Sequence, residues 1–189
     1  KEIYEQPKAI LDTIEPRIVH GIPDFKRDNI LDENFWKYFE RVYIVGCGTA
    51  MHAAMIGKRL IEDNCRIPVE CEIASEFRYK NPIITDKTLA IFISQSGETA
   101  DTLAALNLVK ERGCKSLAIV NVNGSSIARA SDYVIYTYAG PEISVASTKA
   151  YSVQVAIMYL ITFKISLTRK LKEEKEIKIL IRNMLNAID

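Results

Sequence analysis

The sequence predicts an α/β protein, a doubly wound, three-layer α/β/α domain on a five-stranded parallel sheet. Between residues 41 and 167, five short apolar segments alternate with segments of helical pattern. Two of the apolar segments, 42–45 and 117–120, are almost wholly hydrophobic, as strands are when helices cover both faces of a sheet. The length of 189 residues is sufficient for one domain with a substantial core.

The first 40 residues are predicted to form a helical lead-in that covers the core. Apolar residues recur at helical spacing between residues 5 and 20, and Pro16 is expected to kink or end that helix. Residues 33–39, which are rich in aromatic side chains, indicate a second short helix.

The main domain is predicted to occupy residues 41–170, and residues 171–189 to form a C-terminal helix or linker. We expect strands at 41–45, 69–73, 88–93, 116–121 and 133–138. We expect helices at 49–62, 74–79 (a single turn), 99–112, 125–130, 148–167 and 172–188. Gly113 is placed to end the third of these helices, and a serine is placed to cap the fourth.

The predicted helix 148–167 has almost no polar face. A helix that is apolar all round must be buried all round, and a sheet can cover only one side of it. We therefore expect the lead-in helices or a partner subunit to cover the rest. The apolar stretch within it, residues 153–163, is shorter than the roughly 20 residues that a membrane-spanning helix needs.

Composition and charge narrow the functional classes. A formal net charge of +1 argues against a broad electrostatic grip on nucleic acid or an acidic membrane. The four cysteines form no Cys-x-x-Cys pair and the two histidines are far apart, so we expect no metal site. Free thiols and the lack of a secretory signal favour the cytoplasm. The chain starts at Lys1 without a methionine, which suggests a piece of a longer protein.

The loop 94–99 carries the clearest functional signal. It contains Ser94, Gln95, Ser96, Gly97 and Thr99 between an apolar strand and a helix start. Unpaired N–H groups at a helix start attract anions, and hydroxyls add neutral donors for phosphate oxygens. A phosphorylated small molecule is the predicted ligand, and the lack of a Walker lysine disfavours a nucleoside triphosphate. The alternative is a turn with a helix cap, which accounts for one or two of the hydroxyls.

The turn after the first strand is a second candidate site. Gly46, Cys47 and Gly48 resemble the opening of a dinucleotide-binding fingerprint, and Glu72 lies near the position of a ribose-binding acid. Met51 replaces the third glycine, so a dinucleotide-dependent enzyme is the weaker alternative. A tight turn that brings backbone close to a ligand explains the glycines equally well. Cys47 is either a reactive thiol or a small packing residue.

The loop before the long helix is a third segment that can line the predicted ligand pocket. Ser147 and Thr148 are either helix caps or polar groups that line the pocket, and Lys149 is either an anion ligand or a solvated charge. A hydrolase is disfavoured because the Gly-x-Ser-x-Gly elbow is absent and no histidine follows His52.

Four segments together resemble the first sugar-isomerase (SIS) domain of the glutamine–fructose-6-phosphate aminotransferase family. They are Cys-Gly-Thr at 47–49, the segment 72–79, Ser-Gln-Ser-Gly-Glu-Thr within 94–102, and Val-Ala-Ser-Thr-Lys within 145–150. The resemblance covers nearly the whole chain and implies the flavodoxin-like SIS fold. It also implies that a sugar phosphate is bound by Cys47, Gly48, Thr49, Ser94, Gln95, Ser96, Thr99, Val145, Ala146 and Ser147. Ala50 stands where the family often has serine.

The resemblance further implies how the chain is used. The family makes glucosamine 6-phosphate in the cytoplasm from fructose 6-phosphate and glutamine-derived ammonia, with no metal or cofactor. Its glutaminase domain and the second SIS domain, which holds the proton-transfer residues, lie outside this chain. We therefore expect a homodimeric fragment that binds fructose 6-phosphate, glucose 6-phosphate or glucosamine 6-phosphate and has no catalytic residue of its own. A sugar-phosphate-sensing effector domain of a transcriptional regulator is the alternative.

Overall fold

A computed structural model describes residues 2–143 and 146–188. Five parallel strands form one sheet: β1 (Arg41–Gly46), β2 (Val69–Ile73), β3 (Thr88–Ser94), β4 (Lys115–Val120) and β5 (Tyr133–Tyr136). Their order is β2-β1-β3-β4-β5. The order reverses between β1 and β3, where Gly46 pairs with Ile93 at the carboxyl ends. Open parallel sheets bind ligands in the crevice at such a switch point, so the topology selects the loops after β1 and β3.

Helices cover both faces of the sheet, which confirms the predicted three-layer architecture. They are α1 (Gln6–Ile14), α2 (Phe35–Tyr38), α3 (Thr49–Cys65), α4 (Ala74–Phe77), α5 (Ala100–Glu111), α6 (Ser126–Ala130), α7 (Lys149–Thr168) and α8 (Glu174–Asn186). Alternate strand residues supply two cores. Ile44 and Ile91 face α3 and α7, whereas Val45 and Phe92 face α4, α5 and α6.

The long helix α7 is buried from several sides, as its apolar sequence predicts. It packs against α3, α1 and α2. At Gly57 of α3 an added Cβ would lie 2.5 Å from Met158 Cε, so the missing side chain lets the two helices approach closely. With 20 residues, α7 is the one helix in residues 2–143 and 146–188 that is long and apolar enough to cross a membrane on length and composition. In the most apolar 18-residue stretch of α7, 72% is buried inside the protein, as is typical of the core helix of a folded domain.

The first helix of the lead-in ends near Pro16, as expected, and a hairpin that was not predicted follows it. Helix α1 ends at Ile14, a 3-10 turn (Glu15–Arg17) follows, and Ile18–Val19 pairs with Ile22–Pro23 in a small antiparallel hairpin. Pro16 cannot donate to an α-helical ladder, which explains this end.

A buried ion pair fastens the lead-in to the sheet. The Arg17 guanidinium, which is fully buried, donates to both carboxylate oxygens of Asp28 at 2.9 and 2.7 Å. It also donates to the carbonyl oxygens of Thr13 at 2.6 Å and Tyr136 at 2.8 Å. Each guanidinium nitrogen therefore has a partner, and one of those partners belongs to the edge strand β5.

Candidate functional site

A cavity of about 170 Å³ opens at the carboxyl ends of β1 and β3. Its lining residues are Cys47, Thr49, Ala50, Ile93, Ser94, Gln95, Ser96, Thr99 and Gln154. Six of the ten residues predicted for the site are therefore brought together at the switch point of the sheet. Four larger clefts, of about 250 to 490 Å³, lie elsewhere on the described part of the chain. Within the described residues, no buried side-chain atom without a partner belongs to any of these four clefts, whereas Gln154 contributes one to this cavity.

The hydroxyls of the loop 94–99 accept hydrogen bonds from the main chain. Ser94 Oγ accepts from the Gly97 N–H at 3.0 Å, and Ser96 Oγ accepts from the Glu98 N–H at 3.2 Å. Ser94 Oγ and Thr99 Oγ1 are 3.3 Å apart and share one proton. A hydroxyl that accepts still has its own proton to donate. Ser94, Ser96 and Thr99 together have three hydroxyl protons. One of them is used in the hydrogen bond between Ser94 and Thr99, so two remain to donate to a ligand.

The turn-and-cap alternative accounts for the Ser94 and Ser96 hydroxyls, each of which accepts an N–H of the turn, but its cap is not formed. Thr99 occupies the N-cap position of α5, yet its side chain makes no capping hydrogen bond. The first helical bond runs from the Leu103 N–H to the Thr99 carbonyl at 3.0 Å. The N–H groups of residues 100–102 precede that bond and carry the partial positive charge of a helix start. Helix α5 therefore presents a field suited to an anion beside the hydroxyl cluster.

The loop is held in place from the neighbouring β4–α6 connection. The Asn121 N–H donates to the Gln95 carbonyl at 3.1 Å, and the Ile127 N–H donates to the Gly97 carbonyl at 3.0 Å. Gly97 has φ of +67°, and an added Cβ would lie 2.0 Å from Ser125 Oγ. Only glycine fits both the backbone conformation and the space at this position. The serine predicted to cap α6, Ser125, makes no capping bond and instead packs against Gly97.

A carboxylate completes this attachment. Glu98 Oε1 accepts from the Ser126 N–H at 2.8 Å, at the start of α6. Hydrogen bonds from Ser126 hold the pKa of the Glu98 carboxyl below its usual range. The Glu98 carboxylate is thereby held at the start of α6.

The β1–α3 turn forms the opposite wall. Gly48 has φ of +58° and ψ of −132°, a conformation that favours glycine, and it starts α3 at Thr49. An added Cβ at Gly46 would lie 3.3 Å from the Ile93 carbonyl oxygen, so this glycine permits the close approach of β1 and β3. The glycines thus serve the turn. Glu72, the predicted ribose-binding acid, forms an ion pair with Lys80, which weakens the dinucleotide alternative.

The predicted third wall is only partly described and lies outside this cavity. Val145 falls outside the described residues, and Gly48, Ala146 and Ser147 are not among the residues that line the 170 Å³ space. Ser147 and Thr148 make no capping bond, and each has a buried hydroxyl oxygen without a partner in the described part of the chain.

Two further residues of that loop have roles that the sequence analysis did not assign. Glu142 Oε1 accepts from the Thr148 N–H at 2.9 Å and from the Ala150 N–H at 3.3 Å, so a carboxylate caps α7. Lys149 is 4% exposed and pairs with Glu5 at 2.7 Å. A carboxylate thus caps the start of α7, whereas no side-chain cap bond forms at the start of α5.

Gln154 is the polar lining residue that the sequence analysis missed, beside the apolar Ala50 and Ile93. It lies in the second turn of α7, is 4% exposed, and its Oε1 has no hydrogen-bond partner among the described residues. The only sequence signal is its polarity, since it is the one amide within an otherwise apolar helical stretch at 153–163.

The thiols differ in their surroundings. Burial raises the pKa of the Cys71 thiol to about 11 and that of the Cys114 thiol to about 12. Burial also raises the pKa of Cys65. Cys47 is partly exposed in the cavity, with its Sγ 4.0 Å from Thr102 Oγ1. His52 lies exposed on α3, and no group of metal-binding side chains occurs within the described ranges.

Comparisons with known proteins agree with this geometry. The family model of the SIS domain matches residues 39–164. The glutamine–fructose-6-phosphate aminotransferase (isomerizing) of Clostridium tetani is 52% identical over 190 residues, which cover 100% of this chain and 31% of that protein. The chain therefore spans about a third of the length of the curated relatives it matches.

Solved structures show the same fold. The C-terminal domain of glucosamine-fructose-6-phosphate aminotransferase from Francisella tularensis has a TM-score of 0.94 and 36% identity, covering 99% of this chain and 53% of that one. The sugar isomerase domain of an RpiR transcription factor from Sphaerobacter thermophilus has a TM-score of 0.68 and 16% identity, covering 98% of this chain and 97% of that one. At that identity the second likeness concerns the fold alone, so the sequence evidence favours the aminotransferase.

Proposed function

Since this chain belongs to the SIS-domain family, we propose that its cavity at the β1–β3 switch point binds the phosphate of a hexose 6-phosphate. The observation that carries the proposal is the loop 94–99, whose hydroxyls accept main-chain N–H groups and keep two protons to donate beside the start of α5. A dianionic phosphate matches this set of neutral donors and helix-end charge.

We assign the phosphate to Ser94, Gln95, Ser96 and Thr99, and the sugar to the wall formed by Thr49 and its neighbours Cys47 and Gly48. No lysine or arginine lines the cavity within the described residues, so oriented dipoles supply the stabilisation. A site of this kind fixes one end of an open-chain ketose. Fixing that end converts a later proton transfer into a reaction between groups that are already oriented.

The relatives supply the wider proposal. Their printed activity is that of glutamine–fructose-6-phosphate aminotransferase (isomerizing), and we propose that this chain is the corresponding sugar-binding part of such an enzyme. In that role it acts in the cytoplasm as part of a homodimer, beside a glutaminase domain and a second SIS domain. Val145, Ala146 and Ser147 then form the third wall once the ligand is bound. Residues 1–40 serve as a lead-in, 41–170 as the SIS domain and 171–189 as a connection.

The test is a thermal-shift titration of this chain with fructose 6-phosphate, fructose and NAD. We expect only fructose 6-phosphate to raise the melting temperature in a concentration-dependent way. Thr99→Val removes one hydroxyl of the cluster and should weaken the shift. Thr168→Val removes a hydroxyl at the far end of α7, roughly 20 Å along the helix from Gln154, and should not. An equal shift with fructose, or a shift with NAD alone, would refute the proposal.

A second measurement addresses the division of labour. The chain alone should show no turnover of fructose 6-phosphate, because no His, Asp, Glu, Lys or Tyr side chain lines the cavity among the described residues. Measurable isomerisation by the chain alone would contradict this part of the proposal.

A further inference from the structure

We propose that Gln154 is a specificity-determining residue, which recognises a hydroxyl group on the carbon chain of the ligand rather than its phosphate. The inference rests on the proposed function, since it concerns the same cavity. It assigns a role to a side chain that neither the sequence motifs nor the comparisons single out.

The first support is burial without a partner. Gln154 is 4% exposed, lines the cavity, and its Oε1 has no hydrogen-bond partner within the described ranges. Buried polar groups in folded proteins nearly always have a partner, so an unpaired amide oxygen at a cavity wall indicates a ligand or water that supplies one. The rest of α7 near this position is apolar and packs against α3 and the sheet.

The second support is the chemistry of the amide. A carbonyl oxygen only accepts hydrogen bonds, and the oxygens of a phosphate dianion also only accept. The two cannot satisfy each other, so Gln154 Oε1 needs a donor that a phosphate does not have. The loop hydroxyls make no hydrogen bond to Gln154 Oε1 within the described residues, and their two free protons are assigned to the phosphate. A hydroxyl of a sugar supplies the missing donor, and the amide NH₂ can donate to a second oxygen of the same ligand.

The position of Gln154 agrees with a contact to the sugar rather than to the phosphate. The hydroxyls and the start of α5 lie on the loop after β3, whereas Gln154 reaches the cavity from α7. A ligand held by its phosphate at the loop therefore meets Gln154 with another part of its structure. The chain would use one wall for the phosphate and a different wall to recognise a polyhydroxylated carbon chain.

The experiment compares two ligands of equal chain length, fructose 6-phosphate and n-hexyl phosphate, by calorimetry. Gln154→Met keeps the size of the side chain and removes both amide groups. We expect it to weaken fructose 6-phosphate roughly 3- to 10-fold, as for one or two lost hydrogen bonds, and to leave n-hexyl phosphate unchanged or bound more tightly. The unfolding midpoint without ligand should not fall, because an unpaired buried acceptor is replaced by an apolar group.

Each outcome supports or overturns the proposed role of Gln154. Equal loss of both ligands in Gln154→Met, or loss of neither, overturns the role of Gln154 while the phosphate site stands. The wild-type chain provides a test even if the variant does not fold, since equal affinity for the two ligands overturns the inference directly. Binding of neither ligand by the wild type overturns the proposed function, and this inference with it.

Discussion

Replacing Gly97 with alanine tests how the loop 94–99 is held. The residue has φ of +67°, and its missing side chain faces the β4–α6 connection. An added Cβ would lie 2.0 Å from Ser125 Oγ and 2.5 Å from Ser125 Cβ. Ser125 is 2% exposed and starts α6, so it has little room to move away.

Two separate terms contribute to the expected loss of stability. A left-handed backbone costs about 1–2 kcal/mol for a residue with a Cβ. Overpacking of a closely packed site costs about 1–3 kcal/mol. Together they predict that Gly97→Ala lowers the free energy of unfolding by about 2–5 kcal/mol, a large part of the stability of an ordinary domain.

Urea unfolding of three variants separates the two terms. Gly124 has φ of +68° but open space around its missing side chain, so Gly124→Ala should lose only the backbone term. Adding Ser125→Gly to Gly97→Ala removes the overlapping atoms and should recover the overpacking term. The double variant should then resemble Gly124→Ala in stability.

The reasoning would be refuted if Gly97→Ala were no less stable than Gly124→Ala, within about 0.5 kcal/mol. It would also be refuted if Ser125→Gly gave no recovery, because the loss could then not come from the contact between these two residues.

Three further predictions concern other parts of the chain. Asp28→Ala should lower the free energy of unfolding by about 3–5 kcal/mol, because it leaves the fully buried Arg17 charge without its carboxylate. The stabilising effect of Glu98, seen as the difference in unfolding midpoint between wild type and Glu98→Ala, should be complete above about pH 4.3 and should vanish as pH falls through its lowered pKa in the folded state. Iodoacetamide should label Cys47 before the other three cysteines in mass-spectrometric mapping, and fructose 6-phosphate should slow that labelling.

Each of these three predictions has a control or a result that would contradict it. Asp12, in a solvent-exposed pair with Lys8, should tolerate the same change to alanine with little loss, and an equal loss in both variants would contradict the role of burial. A Glu98→Ala difference that stays constant down to pH 3 would show that the carboxylate is not held in the folded state. Labelling of Cys71 first, or equal protection by fructose without phosphate, would remove Cys47 from the cavity.

The strands of the sheet and the order of helices and strands along the chain were largely predictable, because buried strands consist of short runs of apolar residues. The second strand, 69–73, has the predicted bounds, and the others differ by one or two residues at an end. The central strands β1, β3 and β4 are almost fully buried, so their composition is constrained at nearly every position, whereas the edge strand 69–73 includes Glu70 and Glu72.

The lead-in and the helix caps were predicted less well, because local preference was overruled by distant contacts. The hairpin that includes Ile18–Val19 was not predicted, and it lies beside Arg17, which is fixed by Asp28 and by the Tyr136 carbonyl. Serine was expected to cap α6, and capping of α7 by Ser147 and Thr148 was one of two alternatives, yet Ser125 packs on Gly97 and the Glu142 carboxylate caps α7. A preference for serine at a cap does not include competition from a carboxylate six residues away.

The lining residues of the candidate site that lie on the loop 94–99 were predictable from the sequence, whereas the lining residue on α7 was not. Ser94, Ser96 and Thr99 stand close together in the chain, so their cluster is visible in the sequence. Gln154 lies 55 residues beyond Thr99 within an apolar helix, and only the fold brings the two to one cavity. The close contact of Gly97 with Ser125 likewise depends on the packing of two separate loops.

The most direct test of the phosphate site is a crystal structure of this chain grown with glucose 6-phosphate. The account predicts phosphate oxygens within about 2.5–3.2 Å of the Ser96 and Thr99 hydroxyls and beside the first N–H groups of α5. An empty loop 94–99, with the phosphate bound at the start of α7 or in another cleft, would contradict it.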